Sequence, residues 1–438
     1  MYLLYSFILT ALFVLLLPYF IYQALRHGKY AGSFRERLGR LPKALADDAR
    51  PTVWVHTVSV GEFLAARPLI AALRQEFAGW RILVSTTTAT GQRLARAEQP
   101  GRFDAVCYFP FDWTFSVRRA LDCVRPSLVV ILETELWPNF LRECRRRRIV
   151  TVIANGRISP RSFARYRRAR GFIKRTLADL SLLVMQSDAD AERARALGAS
   201  EVRVCGNLKY DVPASDSEPQ VNDVASPIAS EIDRQFALSA SRFLIVAGST
   251  APGEEQMLLA ALREIRREPG LEQARLLIAP RHPERFDEVA ALIAQSGLGY
   301  ARRSVKQADA ERADIILLDT IGELAAVYRF ARVVFVGGSL VARGGHNIIE
   351  PAAFARPIIV GPHTENFRQI VTDFAAAAAV VQIQATGEEL AGALTRELIR
   401  LLRDSEAAQA LGARARQILL SNRGATRCTV AAIRERIS

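Results

Sequence analysis

Short runs of apolar, β-branched residues recur along this chain between longer stretches of helical period, and the series stops once and then restarts. VWVH (53–56), ILVST (82–86), LVVIL (128–132), TVIAN (151–155), LLVMQ (182–186) and VRVCG (202–206) form the first series. FLIVAGS (243–249), RLLIAP (275–280), DIILLD (314–319), VVFVGG (333–338) and PIIVG (357–361) form the second. Continuous apolar strands alternating with helices build parallel sheets with right-handed crossovers. Between the series, residues 213–230 are rich in Pro, Ser and Asp and lack apolar periodicity, which marks a linker. The expected fold is therefore α/β, with Rossmann-like domains over 28–212 and 231–438. Ligands of such sheets bind beyond the carboxyl ends of the strands, so the cleft between the domains is the expected site. At 438 residues, half of them apolar, the chain can fill two cores.

Residues 1–25 contain no charged side chain, and Arg26, Lys29, Arg35, Arg37 and Arg40 follow at once. About 20 helical residues suffice to cross the hydrocarbon layer, and a basic flank stays on the cytoplasmic side. A cleaved signal peptide would need a basic start and a small-residue cleavage site, and neither is present. Residues 1–27 are thus expected to form a membrane-anchor helix. The formal charge of +14 draws anions: nucleic acid, an anionic membrane surface or phosphorylated small molecules. The arginine run at 145–148 lacks interleaved aromatics and reads as a solvated face, so no nucleic acid partner is expected. Five scattered cysteines without a CxxC pair read as reduced thiols.

Polar residues gather at the strand ends. Glu62 follows VWVH and TVSVG, in the first turn of the next helix. Its carboxylate there is favoured by the helix dipole, or serves as a general base that Gly61 lets a substrate approach. Glu133 and Glu135 follow LVVIL beside Trp137 and Pro138, and Lys209 and Asp211 follow VRVCG. In the second series, Glu254 and Glu255 read as a good helix start. Arg281 and His282 form a cationic pair suited to phosphate. Gly322, Glu323 and Leu324 follow DIILLD. Gly344 and Gly345 precede His346, Asn347, Ile348, Ile349 and Glu350, a turn opening a helix whose amides favour phosphate and whose Glu350 suits ribose hydroxyls. The five histidines form no metal-ligand pair, so no metal or other cofactor is expected. In residues 157–175, Arg157, Arg161, Arg165 and Arg168 lie among Phe163, Tyr166 and Phe172 with no acid. On charge alone that is a solvated helix face. Arginine forks also suit phosphates, however, and the aromatics suit acyl chains or a headgroup layer, which makes these arginines candidates for binding a phosphorylated lipid acceptor.

The strings SFRERLG, HTVSVGE, STTTATG, FPFDW, ETELWPN, NGRIS, GNLKYD, GSTAPGEE, PRHPERF, LLDTIGEL, FVGGSL, GGHNIIEPA and GPHTENF occur in order from about residue 29 to 367. Together they resemble the 3-deoxy-D-manno-octulosonic acid (Kdo) transferases of lipid A biosynthesis. The resemblance implies a GT-B glycosyltransferase fold at the bacterial inner membrane, its body cytoplasmic. It implies inverting transfer from CMP-Kdo to a tetraacyl disaccharide lipid A precursor. It also implies Glu62 as proton acceptor, with Glu133 and Lys209 supporting the transition state. CMP contacts would fall on Arg281, His282, Gly322, Glu323, Leu324 and the 347–350 stretch. A UDP-sugar transferase or sugar 2-epimerase of the same fold is the alternative, since PRHPER resembles the epimerases.

Overall fold

A computed structural model describes residues 1–27, 33–46, 49–211, 227–241 and 243–437. The first series of apolar runs becomes β1 (Thr52–Thr57), β2 (Arg81–Thr86), β3 (Ala105–Tyr108), β4 (Leu128–Leu132), β5 (Val150–Gly156), β6 (Leu182–Met185) and β7 (Val202–Val204). They form one parallel sheet in the order β3-β2-β1-β4-β5-β6-β7. The second series becomes β8 (Leu244–Thr250), β9 (Arg275–Pro280), β10 (Tyr300–Arg302), β11 (Ile315–Leu317), β12 (Val333–Val336), β13 (Ile358–Val360) and β14 (Val381–Gln382), ordered β10-β11-β9-β8-β12-β13-β14. Both sheets are parallel because helices return the chain and cover both faces. The central strand β4 is buried along its whole length, with Leu128, Val129, Val130 and Ile131 all at zero exposure.

The chain divides into two compact units, Met1–Val212 with Asn422–Ser438, and Pro213–Ser421. The final segment therefore leaves the second domain, where the sequence pattern places it. Its helix Ala425–Ile437 packs on the helix Val60–Glu76, burying Val430, Ala432 and Ile433. Asp211 fixes its start by accepting hydrogen bonds from the amides of Gly424 (2.7 Å) and Thr426 (2.5 Å). Cys205 and Cys428 are joined in a disulfide with Cα atoms 5.5 Å apart, which corrects the reading of five free thiols. Only the return of the terminal helix makes these distant cysteines neighbours. The expected linker falls mostly outside the described residues, and its last four residues open the helix Pro227–Phe236.

The N-terminal segment forms the helix Tyr2–His27. Among the described residues no helix is long and apolar enough to cross a membrane, so the spanning anchor is not supported. One side of this helix is committed to the protein. Tyr5 donates to Asp112 (3.0 Å), Asn139 to Ser6 (2.9 Å) and Trp113 to Thr10 (3.1 Å), Tyr2 bonds Asp179, and Phe13 stacks edge-on against Trp113. Leu3, Leu4, Phe7, Ile8, Leu12 and Leu15 stay exposed. Nor is the basic flank all available to lipid: Arg37 is buried against Tyr108 and Phe111, and Lys29 lies outside the described residues.

Candidate active site

In an open parallel sheet the crevice forms where the strand order reverses, outside the carboxyl ends. In the first unit that point lies between β1 and β4, and in the second between β8 and β12. Glu62 follows β1, Glu133 and Glu135 follow β4, Glu254 follows β8 and the glycine-rich loop follows β12. The topology thus selects the loops that hold Glu62, Glu133, Glu135, Glu254 and the 344–350 stretch, while Lys209, Arg281, His282, residues 322–324 and the arginines of 157–168 follow other strands.

Glu62 sits in the first turn of the helix Val60–Glu76, whose start is a reciprocal cap. Ser59 accepts from the Glu62 amide (3.4 Å), while Glu62 Oε2 accepts from the Val58 amide (2.7 Å). The cap does not exhaust the carboxylate. Burial raises its pKa to about 7; the Val58 bond opposes this, and the nearby Glu133 and Glu135 add to it. Burial, then Glu133, also raises the Glu135 carboxyl. Three carboxylates therefore converge at one edge. Gly61 is exposed, and a Cβ there would meet nothing closer than Ser59 Oγ at 3.9 Å, which leaves the approach open.

Glu133 is held in the left-handed region (φ 55°), its amide bonded to Ala154 O at 2.9 Å. Lys209 lies in the turn Leu208–Asp211, which packs against the helix that begins beside Glu62. Asn155 anchors this turn: its side-chain oxygen accepts from the Leu208 amide (2.9 Å), and its own φ is 58°. Arg157 is exposed, and its amide donates to Thr134 Oγ1 (2.7 Å) in the loop between Glu133 and Glu135. Arg161, Arg165 and Arg168 lie along the exposed helix Pro160–Arg168. Their aromatic companions turn inward. Phe163 and Tyr166 pack on the core and Phe172 on Tyr2 and Tyr5, so these rings are not free for acyl chains. In the run 145–148, Arg145 pairs with Asp179, Arg146 with Glu143 and Arg147 with Asp122.

Two residues of this edge carried no functional reading in the sequence. His56 is fully buried, stacked on Phe109 at 3.8 Å, and burial lowers its pKa to about 3, so the ring stays neutral. Its Nδ1 faces Ser85 Oγ (3.0 Å), and its Nε2 has no partner among the described residues. Asp112, in the FPFDW string, is buried and caps the helix Pro138–Arg146 through the amides of Asn139 (3.0 Å) and Phe140 (2.8 Å). An acid 27 residues before the first amide it binds offers no local signal.

In the second unit Arg281, His346 and Glu350 come together. Burial holds the His346 imidazole near 4, with Arg281 and His282 adding to the effect. Burial lifts Glu350 to about 7, against a bond from Asn347 Nδ2 (3.2 Å) and the Arg281 charge. Asn347 also accepts from the Ile349 amide (3.0 Å). Arg281 and His282 are exposed after β9.

Two expectations change. The helix beyond the glycine pair is Ile349–Ala353 and starts four residues after Gly345 instead of directly behind it. The Gly345 amide donates to Gly338 O (2.7 Å), so Gly344 and Gly345 form a folded-back turn rather than an amide cradle at a helix end. Glu323 is likewise committed. Its carboxylate takes both Nε and Nη2 of Arg303 at 3.0 Å and the Thr320 hydroxyl at 2.5 Å. Of the three expected contacts in that loop, this leaves Gly322, at φ +88° with open space around it, and Leu324. Among the described residues no group of three His, Cys, Asp or Glu side chains could hold a metal ion.

The sequence family described as 3-deoxy-D-manno-octulosonic-acid transferase (kdotransferase) matches residues 32–212. A 3-deoxy-D-manno-octulosonic acid transferase of Haemophilus influenzae is 35% identical over 379 residues, covering 85% of this chain and 84% of that protein. One from Bordetella pertussis is 34% identical over 410 residues, 91% of this chain and 90% of the other. Among solved structures, a UDP-GlcNAc 2-epimerase from Neisseria meningitidis covers 88% of this chain and all of its own, with a TM-score of 0.58 at 12% identity, a likeness of fold alone. With identity of this extent over most of its length, the chain belongs to the 3-deoxy-D-manno-octulosonic acid transferases, a family of glycosyltransferases.

Proposed function

We propose that this glycosyltransferase moves Kdo from CMP-Kdo to the tetraacyl disaccharide lipid A precursor, with Glu62 as the general base. The observation that carries the role of Glu62 is its carboxyl group, lifted to about 7 at the reversal point of the first sheet. A base of that strength is half charged at neutral pH and can take the proton of a sugar hydroxyl as bonding to the anomeric carbon develops. Inversion in one displacement needs no covalent intermediate, because the oxocarbenium-like centre is itself strongly electrophilic. Glu133 and Lys209 serve that same transition state.

On the donor side, Arg281 neutralises the departing cytidylate phosphate with His282 beside it as a hydrogen-bonding partner, and Glu350 accepts from ribose hydroxyls. Charge on the phosphate is thereby met by the arginine, and we assign no metal or other cofactor to the reaction. Family membership and the 85% of this chain aligned with the Haemophilus protein support the donor and the reaction class.

We further propose attachment in the plane of the inner membrane's cytoplasmic face. The exposed leucines of the helix Tyr2–His27 enter the acyl boundary while its polar side stays bonded to the protein. Phe172 links that helix to the segment bearing Arg161, Arg165 and Arg168, so apolar and basic surfaces adjoin. The test is mass spectrometry of lipid A precursor incubated with CMP-Kdo and the full chain. A mass gain of one or more Kdo units is expected. No gain with CMP-Kdo, alongside turnover of a UDP-sugar, would overturn the reading.

A further inference from the structure

We infer that the consecutive glutamates Glu254 and Glu255 are positioning residues for the donor, each carboxylate bracing one of the two loops assigned to it. The inference rests on the donor reading above. Both side chains are completely buried at the start of the helix Glu254–Arg267. An acid at a helix start usually faces water and serves its own first turn. Glu254 does otherwise. Its Oε2 accepts from Gly338 (2.7 Å) and Ala251 (2.9 Å), and its Oε1 from Ser339 and Leu340, both at 2.9 Å. Three of these four amides belong to one turn, 84 to 86 residues further along the chain.

That turn carries the donor loop. Gly338 O accepts the Gly345 amide, and the ring of His346 lies so close that a Cβ on Gly338 would sit 2.9 Å from it. Ser339 O takes the His363 amide (3.0 Å) and Ser339 Oγ the Gly361 amide (2.9 Å). The backbone path into Asn347 and Glu350 therefore hangs from a turn pinned by one carboxylate. Glu255 faces the other loop. It accepts from the Thr250 hydroxyl (2.8 Å) and from both terminal nitrogens of Arg285, at 2.7 and 3.2 Å. Arg281 N donates to Thr250 O, and Arg285 N to His282 O, each at 3.0 Å. Neither glutamate touches the donor; each holds what does. Burial pushes the Glu254 carboxyl up, and only the four amides oppose it, so an ionised carboxylate here depends on the turn being in place.

Glu254→Gln turns one acceptor oxygen into a donor facing backbone amides and breaks two of the four bonds. Bonds to a charged acceptor of this kind set an expected loss of about 10- to 100-fold in CMP affinity, measured by calorimetry, and an equal rise in the KM for CMP-Kdo. The KM for the lipid acceptor should not change, nor should kcat by more than a few-fold. Glu254→Asp keeps the charge and the fold and should give intermediate CMP affinity. A variant that melts like wild type and binds CMP like wild type overturns the inference, as does an equal rise in acceptor KM. If Glu254→Gln does not fold, an Asp variant with wild-type CMP affinity overturns it alone. Failure of the wild-type protein to bind CMP strikes the donor reading itself, and so separates the two.

Discussion

Glu62→Gln separates activity from stability in opposite directions. Glutamine keeps the shape and can still accept from the Val58 amide, so the helix cap survives. What disappears is a carboxyl whose pKa rises from 4.5 to about 7 in the folded protein, chiefly through burial. At ~1.36 kcal/mol per unit that is about 3 kcal/mol, which solvent around the half-buried side chain trims to about 2. A carboxyl raised on folding favours the folded state fully below its unfolded value of 4.5 and loses that benefit as pH climbs through 7. Wild type should therefore weaken against Glu62→Gln between about pH 4.5 and 7, with the gap level above. Thermal melts at pH 5 and pH 8 read it: the variant gains several degrees more at pH 8. Activity moves the other way, with kcat/KM down about 10²–10⁴-fold. In wild type, kcat/KM should fall tenfold per unit below pH 7, because the base must be ionised. A stability difference that does not change with pH, or near-normal turnover by the variant, would refute the assignment.

Replacing Arg165 and Arg168 together by Gln should weaken partitioning onto anionic liposomes by roughly 30-fold, at about 1 kcal/mol per charge. The KM for the lipid acceptor should rise with CMP affinity unchanged, and wild-type values in both assays would reduce the segment to a solvated face. Glu350→Ala removes the carboxyl acceptor beside Asn347 and should weaken CMP binding by about 10-fold, leaving acceptor KM alone; unchanged calorimetry would end the ribose role. Thiol labelling after denaturation without reductant should reach only Cys107, Cys123 and Cys144, and reaction of all five cysteines would exclude the Cys205–Cys428 bridge.

The central strands were legible because a strand buried on both faces must be apolar throughout, and runs such as LVVIL leave no other period. β3, β10 and β14 were missed for the converse reason: they span four, three and two residues and are partly exposed, so no run accumulates. Glu62, Glu133 and Arg281 stood out as candidates because each lies within a few residues of a readable strand end, and Glu350 because it follows the glycine pair beyond one. Residues that act across the fold left no local trace. Asp211 caps a helix more than two hundred residues away, Cys428 reaches Cys205, and the Gly345 amide turns back to Gly338 instead of opening a helix. Glu254 misled most, since a glutamate at a helix start has an adequate local explanation. Only the distant turn on its carboxylate shows that explanation to be incomplete.

Departures from local sequence rules gather at one edge of each sheet. Glu133 (φ 55°), Asn155 (φ 58°) and Ser249 (φ 57°) are non-glycine residues in the left-handed region, each at the carboxyl end of β4, β5 or β8. Such a conformation opposes folding by roughly 1–2 kcal/mol per residue. Arg125 and Arg148 share it, but they close helices, where a left-handed residue is an ordinary terminator. A strand end has no such need. In the first unit, His56 Nε2, Thr57 Oγ1, Trp137 Nε1 and Asn155 Nδ2 are also buried at this edge without a partner among the described residues. β8 shifts register between Gly248 and Thr250, just before the loop that Glu255 braces. A site built at the carboxyl edge concentrates such features, because strain and unmet hydrogen-bonding capacity hold side chains in conformations the sheet alone would not choose. Glu133 is the sharpest case. Its backbone is left-handed and its charge adds to the rise of the Glu62 carboxyl to about 7, so an unfavourable dihedral and an unfavourable charge contact meet at the residue proposed above as the base.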